Sequence, residues 1–414
     1  MSRLSWYIRK TIRAAGIGLV ALLMLLAAAV SLSPYYRRWC FLWYADVYDY
    51  DKLPSRTVSR SAQPFHFPDA TAGDWIAPLG LTYHGLAITD ETRLGRVLAD
   101  HGTTAFIAIR DGKLLYEQYF NGFRRDSLFK AFSVTKSITS ALIGLAIADG
   151  LIGSIDDPVT KYIPEMRDPT FVRVTVRQCL DATAGIRYTR GVMPWRDQPH
   201  MYYTADVRGF IRGIRIEAEP GTLFSHDDLA PLVLACALER ALQRRSSSQT
   251  LSGYLAQRVW QPIGAEYDAW WNLDRKDGGV EKAESCFTAR AIDLAKFGVL
   301  YLDGGRWGTK QILPAQWVAA SGAAGADPQA PNVWDTGFHS LQWWGRKVPP
   351  PEPPDFYANG HFGQRIYISP RNRLVLVRMG YDNGGIDWTG PLAAIADAMA
   401  RAPSSAVKDP AIHY

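Results

Sequence analysis

An uncharged stretch near the N-terminus constrains the fold of this chain more than any other feature of its sequence. The 20 residues from Ala14 to Ser33 hold no charged side chain. At a helical rise of about 1.5 Å per residue, such a segment spans a hydrocarbon core of about 30 Å. We therefore predict a transmembrane anchor over residues 14–33.

The charged residues around this stretch predict its orientation. Four basic residues precede it and two follow, and residues 1–40 contain no acidic residue. The positive-inside bias places the basic N-terminus, residues 1–13, in the cytoplasm. A single-pass protein of the cell membrane would then carry the rest of the chain on the exported (periplasmic or extracellular) side. A cleaved signal peptide is the alternative, because the small residues Ala27–Ala29 permit cleavage.

The net charge of +6 comes from this N-terminal region, since residues 41–414 hold 40 basic and 40 acidic residues. A neutral exported part does not favour nucleic-acid binding. The eight histidines form no H-E-x-x-H or similar cluster, so we expect no metal site. We also expect no cofactor.

The part beyond the anchor divides into three predicted regions. Residues 34–90 are rich in proline, aromatic and turn residues and have no sustained period, which predicts an irregular stalk or linker. Residues 91–402 form the predicted catalytic domain, and residues 403–414 form a polar tail.

Strands are predicted at both ends of this domain and helices between them. Residues 104–109 and 114–119 flank Asp111-Gly112, a pair that tight hairpin turns prefer, and 364–368 and 374–377 form a second hairpin. Helices are predicted over 133–149, 229–243, 289–303 and 388–401. This order indicates an α+β fold, in which an antiparallel sheet built from the N- and C-terminal segments is flanked by helices and carries a helical insertion.

The helix at residue 133 opens with a candidate nucleophile and base. Its sequence is rich in small and aliphatic residues and ends at Gly150, which predicts a largely buried helix. Ser133 and Lys136 share one face of its first turn. A serine needs a nearby base to act as a nucleophile, and burial favours the neutral amine of a lysine.

The S-x-x-K spacing alone is weak, because it occurs three times, at 127–130, 133–136 and 405–408. We expect the first in a charged loop and the third in the polar tail, so only the second opens a buried helix. A solvated lysine at a helix start is the alternative interpretation of Lys136.

Further segments resemble the serine β-lactamase and penicillin-binding-protein superfamily, in its class C β-lactamase-like branch of esterases and amidases, the 6-aminohexanoate-dimer hydrolase-like enzymes. The resemblance covers roughly residues 90–400 in the family's order. The segments that carry it are AFSVTKSITSALIGLAIADG (131–150), DDPV (156–159), CLDATAGI (179–186), PGT (220–222), TARAIDLAKFG (288–298), QWW (342–344) and GHFGQ (360–364).

The resemblance implies a β-lactamase/transpeptidase-like fold with three catalytic motifs. Ser133 and Lys136 match the first motif. His361 and Gly363 match the third, which lies at the substrate-binding edge of the sheet. The backbone N–H of Gln364 would then lie opposite that of Ser133 and complete an oxyanion hole.

The second motif departs from the family, which has Tyr-x-Asn or Tyr-x-Ser where this chain has His226 and Asp228. Three interpretations stay open. His226 replaces the tyrosine as proton carrier, with Asp227 or Asp228 raising its pKa or orienting its ring. Alternatively, the site has lost its third group, or Tyr188 supplies the hydroxyl.

The predicted function is hydrolysis of a small-molecule amide or ester through an acyl-enzyme on Ser133, with Lys136 as general base. β-Lactam or D-amino-acid peptide cleavage occurs in the same superfamily, but the departure at the tyrosine position favours an amide or ester. The alternative from another class is a catalytically impaired, membrane-tethered domain of this fold that binds or senses a ligand.

Overall fold

The fold is described by a computed structural model that covers residues 3–71, 74–323 and 337–401. The predicted polar tail, 403–414, lies outside these residues. The helices are α1 (Arg3–Leu32), α2 (Pro34–Leu42), α3 (Glu91–Asp100), α4 (Val134–Ala148), α5 (Val176–Leu180), α6 (Asp197–Tyr203), α7 (Val207–Ile211), α8 (Leu229–Arg245), α9 (Leu251–Leu255), α10 (Ala291–Leu302), α11 (Ala315–Ser321) and α12 (Thr389–Arg401).

The strands form one large and one smaller antiparallel sheet and two hairpins. They are β1 (Ser55–Val58), β2 (Leu81–Tyr83), β3 (Leu86–Ile88), β4 (Thr103–Arg110), β5 (Lys113–Tyr119), β6 (Phe129–Lys130), β7 (Ala269–Asn272), β8 (Phe287–Ala289), β9 (Arg306–Trp307), β10 (Lys310–Gln311), β11 (Gly337–Ser340), β12 (Trp343–Arg346), β13 (Asp355–Gly360), β14 (Gln364–Ser369) and β15 (Leu374–Gly380).

The large sheet joins the two ends of the domain in the order β11-β12-β13-β14-β15-β4-β5. Strand β15 pairs with β4, with Val377 opposite Ile107. Both predicted hairpins are confirmed as β4–β5 and β14–β15. Asp111 and Gly112 have φ values of 51° and 73°, the left-handed backbone that a type I′ turn requires. The predicted α+β architecture is therefore confirmed.

Buried helices cover one face of this sheet and fix the catalytic segment. Every residue of α4 from Val134 to Ala146 is buried, and α4 packs against α8. Helix α10 lies close to the sheet at Gly298, where a Cβ atom would come within 2.6 Å of a Val375 methyl group. The four predicted helices are confirmed as α4, α8, α10 and α12.

The smaller sheet, in the order β1-β7-β8-β6, supports the entry to α4. Its strand β1 comes from the region predicted as a stalk and pairs with β7, and β6 leads directly into α4. Residues 34–90 therefore contribute secondary structure and core side chains, among them Val58 and Ile76, to the domain, while the boundaries at residues 34, 91 and 402 stay predictions.

Helix α1 contains the predicted anchor. Its segment Trp6–Leu32 has a mean hydropathy of 2.5 over its most apolar window, none of which is buried. By length and composition this helix suits a membrane anchor or a signal sequence. Ser33 separates it from α2 and caps that helix, since the Ser33 Oγ accepts the Tyr36 N–H.

Candidate active site

A cavity of about 840 Å³ lies at the start of α4, where the large sheet, the helical insertion and the segment after α2 meet. Trp344 lines it, whereas the neighbouring Trp343 is fully buried in the core. Other residues that line it include Tyr44, Phe132, Ser133, Arg190, His226, Asp228, Ser285, Asn359, His361 and Gly363. The cavity therefore combines apolar walls with several titratable groups, as small-molecule sites do.

Ser133 lies at the turn between β6 and α4. The preceding residue, Phe132, is buried and has a φ of 46°, a left-handed backbone that is rare for a bulky residue and is often found at functional sites. Lys136 is only 2% exposed. Its Nζ lies 2.8 Å from Ser133 Oγ and donates to the Glu284 carbonyl at 2.9 Å. The structure thus brings the predicted nucleophile and base into direct contact.

Asp228 is the closest partner of Lys136, a contact that the sequence did not predict. Its Oδ1 lies 2.6 Å from Lys136 Nζ, and its Oδ2 accepts the Tyr188 hydroxyl at 2.5 Å. Burial is the largest single effect and raises the pKa of Asp228, but the nearby positive charge, that of Lys136 first, and the hydrogen bonds from Lys136 and Tyr188 together outweigh it and lower that pKa to about 2. The sequence feature that could have predicted this contact is the position of Asp228 in the second motif, where the family has a neutral residue.

His226 lines the cavity beside Trp344, with 5.2 Å between the ring centroids. Burial and the nearby Lys136 charge lower the pKa of His226 to about 4. Asp228 acts in the predicted direction and raises the pKa, but its effect is the smaller one. The imidazole is therefore neutral at pH 7, and the expectation of a raised pKa is wrong for this environment.

Tyr188 contacts the site through Asp228. Burial and the Asp228 carboxylate raise the pKa of Tyr188 far above its usual value, so its hydroxyl remains protonated and acts as a hydrogen-bond donor. Among the described residues, those that line the cavity include His226 and Asp228 but not Tyr188. The two candidates for the third group therefore differ in their access to a substrate.

The third motif forms a short 3₁₀ turn over His361–Gly363 before β14 begins. The His361 Nε2 lies 3.0 Å from the Tyr44 hydroxyl. The Gln364 N–H closes the turn by donating to the His361 carbonyl, and the Gln364 side chain is held by two hydrogen bonds to Gly380. An oxyanion hole that uses the Gln364 N–H must share or break the bond to His361.

Lys130, of the first S-x-x-K match, is a second buried lysine near the cavity. The expectation of a charged loop is wrong here, because Lys130 lies in β6 and is 1% exposed. It donates to the hydroxyl of Tyr202, a residue that lines the cavity. Burial lowers the pKa of Lys130. The apolar neighbours Phe129 and Ala131 were the signal that this residue is enclosed.

The chain is similar to known proteins of one family. The family model described as Beta-lactamase matches residues 96–398. The 6-aminohexanoate-dimer hydrolase of Paenarthrobacter ureafaciens is 28% identical over 319 residues, which cover 72% of this chain and 78% of that protein. Esterase EstB of Burkholderia gladioli is 28% identical over 185 residues, which cover 39% of this chain and 45% of that protein.

Solved structures match over most of the chain. A Bacillus anthracis protein assigned as a 6-aminohexanoate-dimer hydrolase gives a TM-score of 0.71 at 23% identity and covers 88% of this chain and 94% of its own. A family VIII carboxylesterase gives a TM-score of 0.58 at 19% identity and covers 73% of this chain and 93% of its own. At these identities the likeness shows a shared fold.

Proposed function

The chain belongs to the beta-lactamase family and is a serine hydrolase, and from that premise we propose that it cleaves a small amide or ester through an acyl-enzyme on Ser133. The family and the β-lactamase/transpeptidase-like fold expected from the sequence are confirmed by the matches. The observation that carries the proposal is the 2.8 Å contact between Lys136 Nζ and Ser133 Oγ beside the cavity.

Acylation forms one bond and breaks another. Ser133 Oγ attacks the substrate carbonyl carbon while its proton passes to the neutral amine of Lys136. The C–N or C–O bond then breaks, the leaving group takes up a proton, and water later releases the acid from Ser133. The amine can take this proton only when it is neutral, a form that the Asp228 carboxylate at 2.6 Å disfavours, and it then passes the proton on through His226 towards the leaving group.

We assign proton delivery to the leaving group to His226, because it lines the cavity and its neutral imidazole can accept the proton from Lys136 on one ring nitrogen while it donates the N–H of the other to the leaving group. Tyr188 is a positioning residue in this scheme, because its hydroxyl contacts Asp228 and not the cavity. The developing oxyanion is stabilised by the Ser133 N–H and by the Gln364 N–H once its bond to His361 opens.

The substrate is proposed as an acyclic amide or an ester. The proteins that are similar to this chain include a 6-aminohexanoate-dimer hydrolase and an esterase, and the cavity is large enough for a ligand of drug-like size. The histidine at the family's tyrosine position makes β-lactam turnover the less favoured activity.

The protein is proposed to be held in the membrane by α1. The exposed apolar surface of this helix and the basic residues in its N-terminal part support this proposal. Carbonate extraction of expressing cells should leave the full-mass protein in the membrane pellet. A protein of reduced mass in the supernatant would instead establish a cleaved signal peptide.

A fluorophosphonate probe tests the catalytic assignment directly. We expect the probe to label the wild-type protein and the Ser133→Ala variant to lose both labelling and p-nitrophenyl butyrate turnover. Ser127→Ala is the matched control, since Ser127 begins the other S-x-x-K match of the described residues and accepts the Arg124 N–H in a loop. Labelling that survives Ser133→Ala would disprove the assignment.

A ligand-binding domain without turnover is the second candidate function. The observation that favours it is the Lys136–Asp228 ion pair, because an ammonium that is held by a carboxylate cannot accept a proton. Absence of probe labelling in a folded wild-type protein, together with no ester turnover, would favour this candidate over the hydrolase.

A further inference from the structure

We propose that the mouth of the catalytic cavity lies at the membrane surface and that the substrate is an amphiphilic ester or amide whose alkyl chain remains in the bilayer. The proposal rests on the hydrolase function and on α1 as the anchor. It is carried by the contacts that fix the segment after α1 to the wall of the cavity.

The end of α1 is close to the domain, because α2 begins after a single residue, Ser33. Pro34 is the first residue of α2, and the Ser33 side chain caps the helix, so its direction is set at the end of the apolar segment. Helix α2 has nine residues and is therefore about 14 Å long. Whatever α2 binds must lie within that distance of the membrane.

Helix α2 binds the loop and helix that precede residue 205. Three of its side chains donate hydrogen bonds to backbone carbonyls there, and one of them also packs its ring 4.6 Å from the His200 ring. The bonds join Tyr35 to Pro194 at 2.5 Å, Trp39 to Val192 at 2.8 Å and Arg38 to Thr204 at 2.9 Å. Since they use backbone acceptors from one continuous segment, they hold α2 in a defined position.

The same two segments form one wall of the cavity. Trp43, Tyr44 and Ala45, directly after α2, line it, as do residues 190–192 from the loop that α2 binds. The Tyr44 hydroxyl lies 3.0 Å from the His361 ring of the third motif. Side-chain contacts of α2 with this loop, and of Tyr44 with His361, therefore connect the membrane anchor to the third catalytic motif.

Large apolar side chains are exposed around this wall, and we call them the rim. Its residues and their exposed fractions are Phe41 (82%), Trp43 (55%), Val192 (40%), Met193 (44%) and Trp195 (72%). Contiguous exposed apolar residues mark interaction surfaces, and tryptophan is enriched at the level of lipid headgroups. Helix α2 connects the rim to α1. Because α1 is the proposed membrane anchor, the bilayer is what covers the rim.

A rim in the headgroup region gives the cavity direct access to molecules that are dissolved in the membrane. Ser133 is then reached by an ester or amide group at the level of the headgroups, while the alkyl chain stays among the lipid tails. A substrate of this kind is presented at high local concentration, whereas a short-chain ester reaches the cavity only from water.

The test uses the full chain in vesicles of phosphatidylcholine and phosphatidylglycerol, with p-nitrophenyl palmitate as the membrane-dissolved substrate and p-nitrophenyl butyrate as the soluble one. Replacing Met193 and Trp195 together by serine should lower palmitate turnover by about tenfold and leave butyrate turnover unchanged. Val172→Ser is the matched control, because this valine is 64% exposed but lies outside the rim. Equal loss for both esters, or no loss, would overturn the proposal.

A second measurement keeps the proposal testable if neither ester is turned over. Brominated phospholipids quench tryptophan fluorescence in the headgroup and acyl region, so the wild-type protein should lose more signal than Trp195→Phe. Identical quenching of both proteins would refute the membrane-seated rim. A failure of probe labelling at Ser133 with preserved quenching would refute the hydrolase function alone.

Discussion

Lys136 Nζ lies 2.6 Å from Asp228 Oδ1 and 2.8 Å from Ser133 Oγ, so one ammonium bridges the nucleophile and a carboxylate. The side chain of Lys136 is 3% exposed and that of Asp228 is 20% exposed. An ion pair in such surroundings is not screened by water and stabilises the charged lysine. The carboxylate at this position therefore controls when Lys136 can act as a base.

Asp228→Asn should shift the acid limb of the kcat/KM profile for p-nitrophenyl butyrate to lower pH. The variant removes the carboxylate that pairs with the buried Lys136 at 2.6 Å, and a neutral amide no longer favours an ammonium there. Asp293→Asn is the control, because Asp293 pairs with the buried Lys296 at 3.0 Å elsewhere. An unmoved acid limb with a large loss of kcat would identify Asp228 itself as the proton acceptor.

Tyr188→Phe should shift the acid limb of the kcat/KM profile to higher pH. It should also lower kcat by about tenfold, with KM nearly unchanged. The variant removes the hydrogen bond that Tyr188 donates to Asp228 Oδ2 at 2.5 Å, so more of the charge of the carboxylate is directed at Lys136 and holds its ammonium more tightly. Tyr162→Phe is a matched control, since that hydroxyl donates to Asp157 at 2.6 Å outside the cavity. A kcat loss with no change in the pH profile would indicate a purely structural role.

His226→Gln should affect substrates according to their leaving groups. Hydrolysis of alkyl amides should fall by about 100-fold, because their leaving amine must be protonated. Turnover of p-nitrophenyl butyrate should change little, because p-nitrophenolate leaves without a proton. His339→Gln is the control, since His339 is buried and its ring also lies near Trp344, at 5.1 Å. Equal effects on amide and p-nitrophenyl ester would remove His226 from proton delivery.

Asp227→Asn should stabilise the protein at pH 7 more than at pH 4. Burial raises the pKa of Asp227 from 3.8 to about 6. Between these values the folded state retains a proton that the unfolded state has released, so the free energy of unfolding falls as pH rises, by about 3 kcal/mol in total. Asparagine carries no charge and can still accept the N–H groups of Leu229 and Ala230.

Thermal unfolding in detergent at pH 4 and pH 7 measures this effect. Asp90 is the control, because its carboxylate caps α3 by accepting the backbone N–H of Arg93. This hydrogen bond lowers the pKa of Asp90. Asp90→Asn should therefore reduce stability at pH 7 relative to pH 4, the opposite sign. A pH dependence of unfolding that Asp227→Asn leaves unchanged would contradict the assignment to Asp227.

The sequence correctly predicts the features that depend on residues close to one another in the chain. Asp111-Gly112 defines its hairpin through its own backbone preferences, and the apolar run after Ser133 defines a buried helix. Asp228 is 92 residues from Lys136 in the chain, and Lys130 is enclosed because β6 pairs with β8. The contact of Asp228 with Lys136 depends on tertiary packing and no local pattern placed it, whereas the apolar neighbours of Lys130 were a local sign of its burial.

The pairing of β4 with β15 has a consequence for how the protein is made. The central sheet needs residues 103 and 380 in adjacent strands, so it closes only after almost the whole chain has been delivered. Such distant contacts fold slowly, and the growing polypeptide meanwhile exposes the apolar faces of its early strands. Folding should therefore depend on chaperones that hold the chain until synthesis ends, and C-terminal truncation before β15 should yield degraded protein.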